Sequence, residues 1–494
     1  MTDASAKTPA KKKKKKSVNP WVENIESLVV AVILALIIRT FVVEAFVIPT
    51  GSMAPTLYGN HLELKCPNCD YPYALGFNPD APVSPERVRC PICGVSPGIR
   101  VYSPGRTPLL SYSTGDKILV NKIPYLLDGP RRWDPFVFVN PNASRSDNPP
   151  KTTYIKRLVG MPGETLEILR GDVLVDGKVC RKTPSAQKSL WLPVYDINYV
   201  WKEGSAWDLP RADARGTPAD GTWSLDGKRL VATCPSGELS WVRYAGRIGD
   251  APDDRGVIRD TCAYDHDLNV IVNDVVRTGA GRNVVADVRI AFDLTVSGNG
   301  RIELALPFAD DKTDTDDRAV LDLAAGKALI TRSGRELGST VLPALADGRK
   351  HHVTFQRLDY LLVLAIDGEK TLECDVWDLA AYRGWVEDAA LEQLGGWRRS
   401  GVALGASDVK LVLTDLRIDR DVYYTYREQG GQPGYYHAWR IPEGCCFAMG
   451  DNSPESYDSR YWKDNGGETF VPLDHLIGRG LVIWWHPMRV RLIR

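Results

Sequence analysis

A long apolar run lies near the N-terminus, at 28–38, and continues past Arg39 to residue 43. Counted over 22–43, this segment has the roughly 20 mainly apolar residues that are needed to cross about 30 Å of hydrocarbon. Glu23, Glu26 and Arg39 lie close enough to its ends to reach the membrane interfaces. We therefore predict a transmembrane anchor over 22–45.

The segment ahead of this run contains six consecutive lysines, at 11–16. Residues 1–21 are mostly Ala, Thr, Ser and Lys, which cannot bury apolar surface, so we predict a disordered basic tail. Lysines before a single span hold the N-terminus in the cytoplasm and place everything after residue 45 outside. A basic leader with a short apolar core is also typical of a cleaved signal peptide. No small-x-small site follows Ile38 at the usual distance, which favours the anchor.

After residue 45 the hydrophobic pattern changes to short β-branched runs separated by turn residues. Closely spaced runs of this kind favour an antiparallel sheet over a βαβ fold. The strands predicted in this part of the chain are 117–121, 135–139, 153–159 and 165–175.

Regular alternation dominates the middle of the chain. Large apolar residues occupy every second position from Val288 to Val296, as in a half-buried strand. The residues between them are Arg289, Ala291, Asp293 and Thr295. Similar spacing over 195–425 predicts a jelly-roll β-sandwich. The further strands predicted there are 302–306, 353–355, 361–366 and 409–418. The phrases "LLVLAIDGEKTL" and "DLRIDRDVYY" resemble laminin-G or concanavalin-like sandwiches, many of which bind carbohydrate, although no residue here identifies a ligand.

The overall fold class is therefore predicted to be mainly β, with an N-terminal transmembrane helix and an inserted sandwich. At 494 residues the chain is long enough for several cored domains. Lysine plus arginine (62) and aspartate plus glutamate (62) balance, so no global charge indicates a nucleic-acid partner.

Ten cysteines divide into two groups by spacing. Cys66 and Cys69 form one CxxC pair, and Cys90 and Cys93 form a second. Two such turns can present four thiolates to one tetrahedral zinc ion, in a structural site with no open position. A pair of disulfides is the alternative, since an oxidising compartment favours it. We predict a zinc-ribbon-like insert over 58–110. The other six cysteines have no metal spacing and are expected to be buried or paired.

Three motifs carry candidate chemistry. "FVIPTGSMAPTL" (46–57) holds Ser52 on a proline-flanked bend directly after the anchor. "YIKRLVGMPGE" (154–164) places Lys156 in an apolar strand, and "GDNSPESYDSR" (450–460) supplies a polar loop. A serine hydroxyl needs a base to remove its proton, and a lysine can serve only if it is neutral. Burial among apolar residues lowers a lysine pKa in the required direction.

In this order the motifs resemble the type I signal peptidase family, together with "GDKILVNK" (115–122). The resemblance implies an antiparallel protease core at 46–57, 111–194 and 426–494. It makes Ser52 the nucleophile and Lys156 the general base. Thr50 would contribute a hydroxyl to the oxyanion hole, Ser456 would orient the lysine, and Asp458 and Arg460 would support it. The residues implied to line shallow pockets for small side chains are Phe46, Ile48, Leu57, Tyr154 and Ile155.

The resemblance further implies cleavage of signal peptides from exported preproteins, after small-x-small sites, at the bacterial cytoplasmic membrane. Membrane lipids and a nearby secretion translocon are the implied partners. No cofactor is expected for catalysis, and zinc would be structural.

Some features depart from the family or favour other readings. Trp133 stands where the family has a glycine, and Pro135 follows Asp134, so we expect a reshaped edge beside the substrate. Arg157, next to Lys156, is expected at a strand edge in water.

Two alternative functions are a tethered carbohydrate-binding or adhesion protein with a degenerate core, and a Ser-Lys self-cleaving repressor-like protein. The complete motif set disfavours the first, and the anchor and absence of a DNA-binding segment disfavour the second.

Overall fold

The structure is a computed structural model. It describes residues 20–76, 88–96, 112–142, 153–169, 171–209, 222–234, 237–247, 256–264, 269–272, 275–278, 283–307, 316–345, 348–378, 401–427, 433–434, 436–465, 467–485 and 489–494. The predicted disordered tail therefore falls almost wholly outside the described residues.

Three α-helices are described: α1 (Pro20–Ile37), α2 (Ile123–Leu127) and α3 (Pro184–Leu190). A π-helical turn, Ile38–Val42, continues α1, and short 3₁₀ turns occur at Ser453–Glu455, Trp462–Asn465 and Leu473–His475. The segment Asn24–Val42 spans 19 residues with a mean hydropathy of 2.4, and none of its most apolar stretch is buried against the protein. By length and composition it can cross a membrane, as the apolar run predicted.

The described strands are, in chain order, β1 (Val43–Val47), β2 (His61–Lys65), β3 (Pro72–Gly76), β4 (Lys117–Asn121), β5 (Pro135–Val139), β6 (Thr153–Gly160), β7 (Thr165–Leu169), β8 (Asp172–Val175), β9 (Lys178–Val179), β10 (Leu192–Asp196), β11 (Trp207–Asp208), β12 (Thr222–Asp226), β13 (Arg229–Cys234), β14 (Ser240–Tyr244), β15 (Asn269–Val272), β16 (Val275–Thr278), β17 (Val288–Pro307), β18 (Asp316–Asp322), β19 (Lys327–Arg332), β20 (Arg335–Val341), β21 (Lys350–Leu358), β22 (Leu361–Ile366), β23 (Glu369–Asp375), β24 (Ala403–Arg420), β25 (Tyr426–Arg427), β26 (Pro433–Gly434), β27 (Tyr436–Arg440), β28 (Cys445–Met449), β29 (Val471–Pro472), β30 (Leu476–Trp485) and β31 (Arg491–Leu492). With one N-terminal apolar helix and this many strands, the prediction of a mainly β fold is confirmed.

The first large sheet joins parts of the chain that are far apart in sequence. Its strand order is β1-β4-β30-β5-β6-β28-β29, with β31 paired to β30, and its pairings are antiparallel. β6 is a central strand, in which Lys156 lies opposite Phe136 of β5 and Arg157 lies opposite Met449 of β28. This sheet positions the strand that carries Lys156 directly beside the strand that leads into the 450–460 loop.

The single strand predicted over 165–175 is two strands, which corrects the sequence interpretation. β7 and β8 form a hairpin in which Leu169 pairs with Asp172. Gly171 adopts a φ of 93°, a left-handed conformation that favours glycine and turns the chain. The β27-β7-β8-β9 sheet that results covers an apolar cluster around Trp133 and Phe447.

The second large sheet, of 13 strands, contains the middle of the chain. The separate strands predicted at 288–296 and 302–306 form one 20-residue strand, β17. β24 pairs with β17 along nearly its whole length, whereas β21 pairs with the first half of β17 and β18 with the second. The pairing partner changes near Gly298, where the β17–β24 register shifts. The strands enclose one large apolar cluster that includes Phe292, Phe355 and Leu411.

A buried ion cluster joins the second sheet to the chain near α3. Lys182 Nζ lies 2.5 Å from Asp359 Oδ1 and 2.7 Å from Asp421 Oδ2, and all three side chains are almost fully buried. The two carboxylates raise the pKa of Lys182 against the opposing effect of burial. Breaking such a pair leaves an uncompensated buried charge, so this cluster fixes how the two parts dock.

Candidate active site

Ser52 lies on a loop that apolar neighbours hold in place. Met53 and Leu57, which both follow Ser52, are fully buried in a cluster with Ile118 and Ile483, whereas Ser52 is half-buried. Two backbone hydrogen bonds, from Ala54 to Gly51 and from Leu57 to Met53, tighten the turn. Because its neighbours face the core, Ser52 is held at the edge of that core.

Lys156 is buried near the middle of β6, with 4% of its surface exposed. Its Nζ donates a hydrogen bond of 3.1 Å to Ser456 Oγ. Burial lowers the pKa of Lys156 to about 8; nearby Asp458 acts in the opposite direction, and Arg460 adds to the lowering. A substantial fraction of this amine is therefore neutral near physiological pH, which a general base requires.

The 450–460 loop contacts both the serine bend and the lysine. Asn452 donates its backbone N–H to the Ser52 carbonyl at 3.1 Å and its side-chain amide to the Gly51 carbonyl at 3.0 Å. Gly450 passes so close that a Cβ there would lie 2.2 Å from Ser456 Oγ and 2.3 Å from the Ser52 carbonyl oxygen. One loop thus brings Ser52, Ser456 and the Lys156 amine into the same region.

Asp458 and Arg460 form a fully buried, bidentate ion pair within that loop. Arg460 Nε and Nη2 lie 2.8 and 2.7 Å from the two Asp458 carboxylate oxygens. The same carboxylate accepts the Gly450 N–H at 2.9 Å, and Arg460 also donates to Ser453 Oγ at 2.6 Å. Although burial opposes it, Arg460 keeps the pKa of Asp458 below its usual value. The pair fixes the loop that carries Ser456.

The expectation for Arg157 was wrong. Its side chain is fully buried and makes a bidentate ion pair with Asp451, with both N–O distances at 2.6 Å. It also donates to the Trp133 carbonyl at 2.7 Å. Since β6 is a central strand covered on both faces, consecutive side chains are buried there. Arg157 is a site residue that the strand-edge interpretation missed. Its partner Asp451 belongs to the predicted 450–460 loop, but the motif gave no sign of the ion pair.

The two departures, Trp133 and Pro135, lie just before and at the start of β5. Trp133 takes a φ of 70°, unusual for a bulky residue, and packs into the apolar cluster beneath β7. Pro135 is the first residue of β5, a position where a strand tolerates proline. Asp134 faces Arg479 at 3.1 Å, and burial raises its pKa. Trp133, which stands where the family pattern has a glycine, thus has a left-handed backbone conformation that glycine adopts more readily.

The five predicted pocket residues differ in accessibility. Phe46, Tyr154 and Ile155 are half-buried and can meet a ligand. Ile48 and Leu57 are buried in the core, so they can act only from beneath the cleft. Thr50 is exposed two residues before Ser52.

The four CxxC cysteines converge, and all are buried. Their sulfurs lie within 4.8 Å of one another, with Cys66 and Cys93 at 3.4 Å and Cys69 and Cys90 at 3.6 Å. Four sulfurs held about 2.3 Å from one tetrahedral zinc ion are about 3.8 Å apart, so this donor set fits zinc. In the described part of the chain none of the ten cysteines forms a disulfide, including the six outside this cluster.

Comparison with known proteins places the similarity in three segments. The signal peptidase, peptidase S26, family matches residues 21–65, 100–193 and 410–485. Ser52, Lys156 and Ser456 each fall within a different matched segment, which supports the resemblance carried by the motifs. The four CxxC cysteines and most of the 13-stranded sheet fall in the unmatched parts.

Several signal peptidases are similar to this chain. Signal peptidase I of Leptolyngbya laminosa is 30% identical over 164 residues, which cover 33% of this chain and 54% of that protein. Probable signal peptidase I-2 of Synechocystis sp. is 28% identical over 179 residues, covering 36% and 56%. Signal peptidase I T of Bacillus subtilis is 25% identical over 171 residues, covering 35% and 56%. The chain spans about half the length of these curated relatives.

Among solved structures, a carbohydrate binding module from Bacillus subtilis covers 44% of this chain and 96% of its own, at 10% identity and a TM-score of 0.26. At that TM-score the likeness adds nothing to the description of the sheet.

Proposed function

We propose that this chain is a membrane-anchored serine endopeptidase that removes signal peptides from exported preproteins. The observation that carries the proposal is the buried Lys156 amine. Its pKa is lowered to about 8, and it is hydrogen-bonded to a loop that also holds the Ser52 backbone. The similarity of three segments to signal peptidases supplies the substrate class.

In the proposed reaction, neutral Lys156 accepts the Ser52 hydroxyl proton while Ser52 Oγ attacks the scissile carbonyl carbon. The Ser52 amide and the Thr50 hydroxyl stabilise the resulting oxyanion. The Lys156 ammonium then protonates the leaving amine, the C–N bond breaks, and an acyl-enzyme remains on Ser52. A water molecule then loses a proton to Lys156 and attacks the acyl carbon. The ester bond to Ser52 Oγ breaks, and Lys156 returns the proton to Ser52 Oγ as the acyl product leaves. Ser456 directs the amine by the hydrogen bond described above, and Asp458 with Arg460 supports the loop.

The anchor and the pockets define the substrate. Ser52 follows Val43, the first residue of β1, by nine residues, which places it within roughly 30 Å of the bilayer surface because each residue spans at most about 3.3–3.6 Å. We propose that the N-terminus is cytoplasmic, that the protease faces outside near the translocon, and that membrane lipids surround α1. Phe46, Tyr154 and Ile155 would restrict the first and third positions before the cut to small side chains, since bulk displaces the scissile carbonyl.

Replacing either member of the dyad tests the function. Ser52→Ala and Lys156→Ala should each lower turnover of a preprotein with alanine at the first and third positions by about 10⁴-fold or more, as loss of a nucleophile or its base does. Ser113→Ala and Lys178→Ala, elsewhere in the chain, serve as matched controls and should cleave normally. Processing is followed by electrophoresis and product mass. Near wild-type cleavage by either dyad variant would refute the assignment.

The pH dependence follows from the direction of the lysine shift. The base is neutral above its pKa, so kcat should increase with pH, with a midpoint at about pH 8. Below that midpoint kcat should decrease by about tenfold for each pH unit. Steady-state cleavage rates between pH 6 and 9.5 measure this dependence of kcat on pH. Circular dichroism at each pH shows whether the fold is intact. A kcat that is constant across this range would contradict a lysine base.

We also propose that Cys66, Cys69, Cys90 and Cys93 bind one structural zinc ion within the insert 58–110, and that residues 195–425 form a second, sandwich insert. The support for zinc is the closeness and burial of the four sulfurs. Four thiolates complete a tetrahedral shell and leave no position for a substrate, so the ion would stabilise the fold without entering the reaction.

Metal analysis tests the zinc site. Purified protein should contain one zinc ion per chain. The zinc content is measured by elemental mass spectrometry of the digested protein. A Cys66→Ser, Cys69→Ser double variant should lose it because two of four ligands are removed. A Cys180→Ser, Cys445→Ser variant is the control and should retain the ion. Protein without zinc, in which thiol titration finds all four cysteines oxidised, would establish disulfides instead.

A further inference from the structure

Tyr264 reaches the serine bend from the middle part of the chain, outside the segments similar to signal peptidases. It ends the described segment 256–264, and only 7% of its surface is exposed. Its ring packs with Ala54 of the serine loop and Ala74 of β3, and Tyr58 and Cys262 lie against the same cluster. Three parts of the chain therefore meet at this one side chain.

The ring fits against two glycines that leave no room for a side chain. A Cβ at Gly51, the residue before Ser52, would lie 1.9 Å from Tyr264 Cε1. A Cβ at Gly76, at the end of β3, would lie 2.5 Å from the same atom. Both distances are far below van der Waals contact, so the ring edge lies directly on the backbone beside Ser52.

Hydrogen bonds also hold Tyr264 against the serine loop and against β3. The Tyr264 hydroxyl donates to the Asn60 carbonyl at 2.8 Å, and the Tyr264 carbonyl accepts the Gly76 N–H at 2.9 Å. The ring also stacks on Tyr58, with centroids 5.6 Å apart. Tyr264 thus contacts the loop at Gly51, at Tyr58 and at Asn60, on both sides of Ser52 along the chain.

The segment that carries Tyr264 is fixed to the 13-stranded sheet. Arg420, the last residue of β24 and itself buried, donates to the Thr261 carbonyl at 2.6 Å. Asp260 accepts hydrogen bonds from the Asn283 backbone and side chain at 3.0 and 2.6 Å. These bonds tie the residues just before Tyr264 to the end of β24 and to the chain ahead of β17.

We propose that Tyr264 is a positioning residue for the proposed peptidase reaction: it holds the backbone at Gly51 so that Ser52 faces Lys156 and the substrate. This inference rests on the proposed function. A displacement of about 1 Å at a reacting atom can cost about 10²-fold in rate, so loss of the ring should lower turnover through the backbone at Gly51. It also assigns the middle part of the chain a role in the site.

The test measures kcat, KM and the pH profile on the alanine-bearing preprotein. Tyr264→Ala should lower kcat by 10-fold to about 10²-fold, with KM changed less than about threefold and the midpoint of the pH profile unchanged, because Lys156 keeps its surroundings. Tyr264→Phe keeps the ring against Gly51 and should recover most of the activity. Phe355→Ala, which removes a buried aromatic ring from the same sheet without touching the serine loop, controls for general destabilisation.

A double-variant cycle makes the contact itself testable. Gly51→Ala should lower kcat because its Cβ meets the Tyr264 ring. In the Tyr264→Ala background the same change should have an effect at least fivefold smaller, because the obstructing ring is gone. Three results would overturn the inference: wild-type kcat in Tyr264→Ala, an equal loss of kcat in Phe355→Ala, or independent effects of Gly51→Ala and Tyr264→Ala. In each of these cases an inactive Ser52→Ala would leave the proposed function intact. An active Ser52→Ala would overturn both.

Discussion

The site depends on keeping one amine out of water. Lys156 is buried in a central strand, and burial lowers its pKa towards neutrality, whereas a lysine on the surface would stay protonated. A neutral amine still needs a direction, and the hydrogen bond to Ser456 supplies it. The 450–460 loop brings Ser456 to that amine and holds the backbone of Ser52 in the same region.

Buried ion pairs perform that placement. Asp458 with Arg460 closes the 450–460 loop on itself, and Asp451 with Arg157 attaches the loop to β6 beside Lys156. Desolvation offsets much of the attraction in such pairs, so they contribute little to the net stability of the fold. Their geometry is nevertheless strict, because losing one partner leaves a buried charge. They specify the position of the 450–460 loop more than they stabilise the fold.

The sequence predicted the features that depend on local pattern. The N-terminal apolar helix and the strand containing Lys156 follow from apolar runs that are visible in the local sequence. The burial of Arg157 and the joining of two strands into β17 depend on which strands pair with them, and pairing is not local. Tyr264 carries no motif, and only the folded chain shows that it lies on Gly51.

Acylation of Ser52 with the help of Lys156 is measured most directly by mass spectrometry of enzyme quenched with acid during preprotein turnover. We expect a peptide containing Ser52 whose mass is increased by that of the signal-peptide portion, and no such peptide from Lys156→Ala enzyme. Cleavage with no adduct under conditions where deacylation limits turnover, or an adduct on another residue, would contradict it.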